Sequence, residues 1–123
     1  MLVGAGGFVG SVLRYALSGL VHRAAGTAFP YGTLVVNVTG CLAIGLLGGL
    51  TELRQVAGPE LRLFLLIGIL GGFTTFSTFG YETLALLRDG DLMKAVANAG
   101  LHLTLGLGAA WLGFAVAEWL GRG

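Results

Sequence analysis

The sequence predicts an all-α membrane protein with four transmembrane helices. Of its 123 residues, 55% are hydrophobic and only 11% are charged, whereas soluble domains carry about 25% charged residues. Four apolar segments each come close to the ~20 residues that a helix needs to cross a bilayer. The period-two alternation typical of a β-barrel is absent. The predicted helices cover residues 2–21, 33–53, 61–87 and 92–120 and form one domain, residues 1–123.

The amino-acid composition also indicates how closely the predicted helices pack. Glycine accounts for 23 residues, far above its usual share of ~7%, and glycine in membrane helices lets backbones approach closely. A net charge of +1 without a basic run gives no reason to expect a nucleic-acid partner. The single cysteine, Cys41, excludes an intrachain disulfide. We expect tightly packed helices in a lipid bilayer.

The first segment carries Arg14 near its middle. An arginine at the centre of a membrane helix costs roughly 2.5–3.5 kcal/mol on the insertion scale. The alternative is that the Arg14 side chain snorkels to a lipid headgroup, but the distance that it must span is long. The position therefore favours an Arg14 that faces the protein interior or an aqueous vestibule.

The second segment places Thr33, Asn37 and Cys41 on one helical face. A buried asparagine must find partners for one acceptor and two donors. Asn37 therefore either joins two helices or offers an N–H to an anion, and the sequence leaves both open.

The third segment contains the most unusual stretch of the chain, residues 71–83, with paired glycines, five serine and threonine hydroxyls and three phenylalanines. The pair Gly71-Gly72 marks the place where a helix breaks at least cost, although close packing explains the pair equally well. Phe76 and Phe79 are three residues apart and are surrounded by hydroxyls. Because the edge of a phenyl ring is electropositive, inward-facing edges would solvate a small anion without trapping it.

The fourth segment places Asn98 and His102 on one face. A lone membrane histidine is as often a helix–helix hydrogen bond as a functional site. No second histidine stands at metal-ligand spacing, so we do not expect the histidines to bind a metal.

Basic residues are divided equally between the two membrane faces. Arg23, Arg88 and Lys94 fall on one side, and Arg54, Arg62 and Arg122 fall on the other. The positive-inside rule therefore gives no preferred orientation. A protomer without such a bias can insert both ways, which predicts dual topology and antiparallel pairing.

Three motifs lie in order on the first three predicted helices: GGFVGSVLRY at residues 6–15, GTLVVNVTG at residues 32–40 and GILGGFTTFSTF at residues 68–79. Together they resemble the small bacterial fluoride channels called Fluc or CrcB. The resemblance covers essentially the whole chain.

This resemblance implies a fluoride-selective ion channel that gives passive fluoride export across the inner (cytoplasmic) membrane, as a multi-pass protein. It implies an antiparallel, dual-topology homodimer with two pores and a third helix broken near residues 71–75. It also implies a structural Na+ at the dimer interface, held by the backbone carbonyls of Gly71 and Thr74.

The same resemblance supplies the site residues. It matches Arg14 to a vestibule, and it matches the fluoride pore to Asn37, Phe76, Phe79, Thr75, Ser77, Thr78, Glu82 and His102.

Two other classes are compatible with the size of the chain. A small dual-topology multidrug/proton antiporter needs a membrane-embedded carboxylate, and the first segment has none. A non-transporting assembly subunit leaves the pattern of Asn, hydroxyls and Phe unexplained. No nucleophile–base pair or phosphate-binding loop indicates an enzyme.

Overall fold

The computed structural model describes residues 1–54 and 58–121. These residues form α-helical elements and no strand, which confirms the predicted all-helical class. The third predicted segment is divided into α3 and α4. In chain order the elements are α1 (Leu2–Ala25), α2 (Tyr31–Arg54), α3 (residues 59–73), α4 (Phe76–Arg88) and α5 (Leu92–Gly121).

Three spans are long and apolar enough to cross a bilayer, namely Tyr31–Leu53, Pro59–Arg88 and Leu92–Gly121. Helix α1 has 24 residues and is therefore about 36 Å long at 1.5 Å per residue. It is less apolar than the others, in part because it carries Arg14. That α1 also spans the membrane stays a prediction.

Helix α1 runs to Ala25 rather than to Val21, the predicted last residue. Arg23 lies in its last turn, where a cation interacts favourably with the helix dipole. Arg23 Nε also donates to the oxygen of Gly19 at 3.4 Å. The helix ends where Gly26 adopts a φ of 82°, a conformation that favours glycine.

Both connecting loops at one end of the bundle lie together. Lys94 Nζ, in the first turn of α5, donates to the oxygen of Ala28 in the α1–α2 loop at 3.4 Å. Arg23 and Arg88 belong to the same end, as the predicted division of basic residues between the two membrane faces requires. Arg122 lies outside the described residues.

Two helix pairs approach so closely that only glycine fits between them. Helix α1 packs on α3, and a β-carbon on Gly6 would lie 2.8 Å from Gly68 Cα. Helix α2 packs on α5, where a β-carbon on Gly45 would collide with the carbonyl oxygen of Ala110. Part of the high glycine content therefore serves close backbone contact, as the composition predicts.

The third segment breaks two residues later than its glycine pair suggests. Helix α3 begins with Pro59–Arg62, widens into the π-helix Leu63–Leu70 and closes with the α-helical turn Gly71–Phe73. Thr74 (ψ 156°) and Thr75 (φ −150°, ψ 118°) are extended. The break thus lies within the predicted region but not at Gly71-Gly72. Gly72 remains helical because it packs on α1, where a β-carbon would lie 2.7 Å from the oxygen of Gly7.

Few large side chains are buried within the single chain. Val36 and Asn98 are the largest that are fully buried. Large apolar side chains such as Phe8, Trp111 and Trp119 are exposed. In a membrane protein such surfaces are covered by lipid or by another protomer.

Candidate functional site

Asn37 binds the broken segment as a second peptide group would. Its Oδ1 accepts from the backbone N–H of Thr75 at 2.9 Å, and its Nδ2 donates to the oxygen of Thr75 at 3.1 Å. A residue at a helix break leaves backbone groups that lipid cannot satisfy. Asn37 therefore supplies, from α2, both partners that the Thr75 peptide lacks.

The second N–H of Asn37 Nδ2 points to α5. Asn37 Nδ2 lies 3.1 Å from His102 Nε2. His102 Nδ1 in turn lies 3.0 Å from the backbone oxygen of Asn98. Asn98 is fully buried, and its Nδ2 donates to Thr83 Oγ1 on α4 at 2.9 Å. One hydrogen-bonded chain therefore connects α2, the break, α5 and α4.

The hydroxyl of Thr75 begins α4. It accepts from the backbone N–H of Thr78 at 3.3 Å, which is the usual role of an N-cap threonine. It also donates to Thr78 Oγ1 at 3.1 Å, and Ser77 Oγ lies 3.3 Å away. Three of the predicted pore hydroxyls thus form one local group at the start of the helix.

The break also redirects the two donors that a continuous helix would supply to Gly71 and Thr74. The N–H of Thr75, four residues after Gly71, donates to Asn37 Oδ1. The N–H of Thr78, four residues after Thr74, donates to Thr75 Oγ1. Both carbonyls predicted to hold a cation have therefore lost their helical donor to a side-chain oxygen.

Two cavities meet at Thr75. The larger is an apolar groove of about 710 Å³, and the smaller is a more polar cavity of about 250 Å³. The groove is bordered by Asn37, Gly71, Thr74, Thr75, Phe76, Phe79 and His102, among others. The cavity is lined by Arg14, Tyr15, Ser18, Thr33, Val36, Thr75 and Thr78.

Aromatic rings form a short row along the groove. The ring centroids of Phe76 and Phe79 are 5.6 Å apart with planes tilted by 46°. Those of Phe79 and His102 are 4.2 Å apart with a tilt of 44°. Phe76 is 82% exposed, so its ring projects away from the single chain.

Arg14, which the resemblance matches to a vestibule, lies at the smaller cavity. It is half-buried and borders the smaller cavity with Ser18, Thr33 and Thr75. Among residues 1–54 and 58–121 the structure records no ion pair for its guanidinium. Its positive charge therefore faces a cavity lined by hydroxyls.

Glu82 and Ser77 are not brought into either cavity lining. Glu82 is half-buried on α4, one turn beyond the hydroxyl group, and its Oε1 is buried without a hydrogen-bond partner. Ser77 is exposed. The remaining predicted residues lie around Thr75.

Five polar site residues were absent from the predicted set. Asn98 and Thr83 extend the hydrogen-bonded chain, and Tyr15, Ser18 and Thr33 border the Arg14 cavity. Asn98 stands four residues before His102 and so shares its helical face, and this spacing could have identified Asn98 as a site residue. Ser18 likewise follows Arg14 by four residues and so shares its helical face.

Known proteins match this chain over most of its length. The family described as CrcB-like protein, Camphor Resistance (CrcB), matches residues 1–114. The chain belongs to this family. One relative, named fluoride-specific ion channel FluC, from Nitratidesulfovibrio vulgaris, is 50% identical over 92% of this chain and 91% of its own length.

Two further relatives carry the same name. The Opitutus terrae protein is 51% identical over 92% of this chain and 87% of its own length. The Geotalea daltonii protein is 44% identical over 98% of this chain and 97% of its own length. The resemblance stated from the motifs is thus confirmed.

Family membership and the apolar spans together establish the general class. The chain is a multi-pass membrane protein. Its family consists of ion channels, which confirms the prediction that it is not an enzyme. No comparison supports the multidrug/proton antiporter.

Proposed function

We propose that the chain is a fluoride-selective channel for passive fluoride export across the cytoplasmic membrane. The relatives named fluoride-specific ion channels support this function. The observation that carries it here is the meeting of the Arg14 cavity and the phenylalanine-lined groove at Thr75. A path that crosses the membrane must connect such spaces.

The residues around Thr75 suit a small, strongly hydrated anion. Arg14 attracts the ion into the polar cavity, and the hydroxyls of Thr75 and Thr78 replace part of its water. The ring edges of Phe76 and Phe79 offer weak positive potential along the groove. Neutral donors let the ion leave again, as conduction requires. We propose that Ser77 and Glu82 contribute to the outer part of the path.

Asn37 would contact the ion only by exchanging one bond for another. Both of its N–H groups are already used, by Thr75 and by His102. An anion next to Asn37 would take the N–H that His102 accepts in the absence of the ion. Such an exchange costs little and gives weak binding, because one acceptor replaces another.

We propose an antiparallel homodimer with two pores. Phe76 is 82% exposed, and the groove beside it is open along the side of the single chain. A second copy would close this groove and line the other wall of the path. The equal division of basic residues between the two faces supports antiparallel insertion.

A structural Na+ fits the free carbonyls of the break. Gly71 and Thr74 would hold it through their backbone oxygens, whose helical donors are diverted. A β-carbon on Gly71 would meet only an atom of its own segment, Leu66 O, at 4.0 Å, so this backbone is open to an ion from the groove side. When bound, Na+ satisfies carbonyl groups that lipid cannot.

Growth of bacteria in fluoride tests the function in cells. A strain without its own fluoride exporter should tolerate higher fluoride when it expresses this chain, because fluoride leaves down its gradient. Added chloride should not change the benefit. Equal growth with and without expression, at verified membrane levels of the protein, would contradict the proposal.

A further inference from the structure

The ring of His102 is held at both nitrogens. Nδ1 lies 3.0 Å from the backbone oxygen of Asn98, and Nε2 lies 3.1 Å from Asn37 Nδ2. A carbonyl oxygen only accepts, so Nδ1 must carry the hydrogen. In the neutral ring Nε2 then has a free lone pair, which accepts from Asn37.

The lone pair on Nε2 decides which way the Asn37 amide faces. The two ends of an amide have nearly the same shape but opposite hydrogen-bonding character. With an acceptor at His102, the NH₂ end must lie between His102 and the oxygen of Thr75. Oδ1 then faces the N–H of Thr75, as observed at 2.9 Å.

A hydrogen on Nε2 would oppose this arrangement. Two donors would face each other across 3.1 Å. The amide would have to turn over, which would place its NH₂ end against the N–H of Thr75 and break the bond to the backbone. Apart from Asn37, the groove residues of α2 and α4 include no strong side-chain acceptor for a hydrogen on Nε2. The titratable side chains nearest in sequence on those helices are Cys41 on α2, which borders the groove, and Glu82 on α4, which does not.

We propose that His102 is a positioning residue for the helix break. As the neutral Nδ1–H tautomer it sets the orientation of the Asn37 amide, and through Asn37 it holds the Thr75 peptide in its extended conformation. Phe79 keeps the imidazole ring in place from the side. The inference concerns the protein without a transported ion, so it does not depend on fluoride as the substrate.

The tautomer is measurable in the intact protein. We would label the histidine nitrogens with 15N, place the purified protein in lipid nanodiscs without fluoride and record one-bond and long-range 15N–1H NMR correlations. The chain has two histidines, and His22→Gln assigns the signals. A hydrogen on His102 Nδ1 with an unprotonated Nε2 is expected. A hydrogen on Nε2, or exchange between both tautomers, would overturn the proposal.

Two variants separate positioning from packing. His102→Gln places an amide oxygen near the position of Nε2 and can still accept from Asn37. His102→Phe keeps a ring against Phe79 but removes the acceptor. The readout is amide hydrogen exchange at Thr75, whose N–H is bonded to Asn37 Oδ1.

We expect exchange at Thr75 to accelerate about tenfold or more in His102→Phe, because a half-buried donor of Asn37 loses its partner. His102→Gln should restore most of the protection. Equal protection in the wild type and His102→Phe would mean that the ring merely packs. These results are independent of fluoride transport, so a failure here leaves the proposed function untouched, and a channel that does not conduct fluoride leaves the tautomer result valid.

Discussion

The side-chain amide of Asn37 is paired with the Thr75 peptide across the bundle. Oδ1 accepts from the N–H of Thr75 at 2.9 Å, and Nδ2 donates to its oxygen at 3.1 Å. The two residues are 38 positions apart in the chain. This pairing stabilises two consecutive extended residues in the middle of an apolar segment, where lipid offers no hydrogen-bond partner.

Asn37→Asp should abolish most transport. The carboxylate can still accept from the N–H of Thr75, but it loses the donors to the oxygen of Thr75 and to His102, and it repels an anion. We expect fluoride efflux from liposomes to fall at least tenfold, corresponding to roughly 1.4 kcal/mol or more. Thr39→Val, on an exposed position of the same helix, is the control. Fluoride efflux at the wild-type rate in Asn37→Asp would exclude a role for the amide donors.

Phe76 and Phe79 should matter for transport more than for assembly. Phe→Ile at either position keeps apolar volume but removes the electropositive ring edge. We expect about tenfold slower fluoride efflux from a protein that still elutes as a dimer. Phe8→Ile, which changes an exposed phenylalanine of α1, should behave as the wild type. Unaltered efflux in both pore variants would show that the rings only fill space.

Gly71 and Gly72 should respond differently to alanine. A β-carbon on Gly72 would lie 2.7 Å from the oxygen of Gly7, whereas one on Gly71 would have no contact closer than 4.0 Å. Gly72→Ala should therefore lower the melting temperature of the protein. Gly71→Ala should leave the protomer fold intact and weaken dimerisation, because its methyl group would occupy the proposed Na+ site. A Gly71→Ala dimer as stable as the wild type would argue against that site.

Removal of Na+ should weaken the dimer. Purification throughout in an inert organic cation leaves the carbonyls of Gly71 and Thr74 without their ion. We expect the detergent-solubilised dimer to dissociate at a higher protein concentration than it does in Na+, and to re-form when Na+ is returned but not when more organic cation is added. A dimer that never depends on Na+ would remove the cation from the proposal.

Dual topology should be visible with reporters at the C-terminus. The equal charge division predicts comparable signal from both sides of the membrane. Thr27→Lys with Ala28→Lys, in the exposed α1–α2 loop, should bias insertion and reduce functional dimer. The same positions changed to Gln serve as control. A strongly one-sided wild-type signal would contradict antiparallel assembly.

The helices were predictable because their cause is local. Long apolar runs interrupted by Pro, Gly and charged residues specify where helices begin and end, and Gly26 and Pro59 mark ends that the structure shows. The proximity of Phe76 to Phe79 also followed from helical spacing.

The break was harder to place because its cause is not local. Gly71-Gly72 is the weakest helical dipeptide of the segment, yet α1 packs on Gly72 and the pair stays helical. The extended residues are Thr74 and Thr75, because Asn37 and the Thr75 hydroxyl supply hydrogen-bond partners there. The π-helix Leu63–Leu70 lies in a uniform apolar run that carries no signal for it.

The central claim is that this chain alone conducts fluoride and rejects chloride, and anion efflux from liposomes that contain only the purified protein tests it most directly. Vesicles loaded with equal fluoride and chloride, with K+ allowed to leave through an ionophore, are followed with both ion-selective electrodes. We predict rapid, passive fluoride efflux that requires the protein, with chloride efflux no faster than from protein-free vesicles. Equal efflux of both anions, or fluoride efflux at the rate of empty vesicles, would contradict the account.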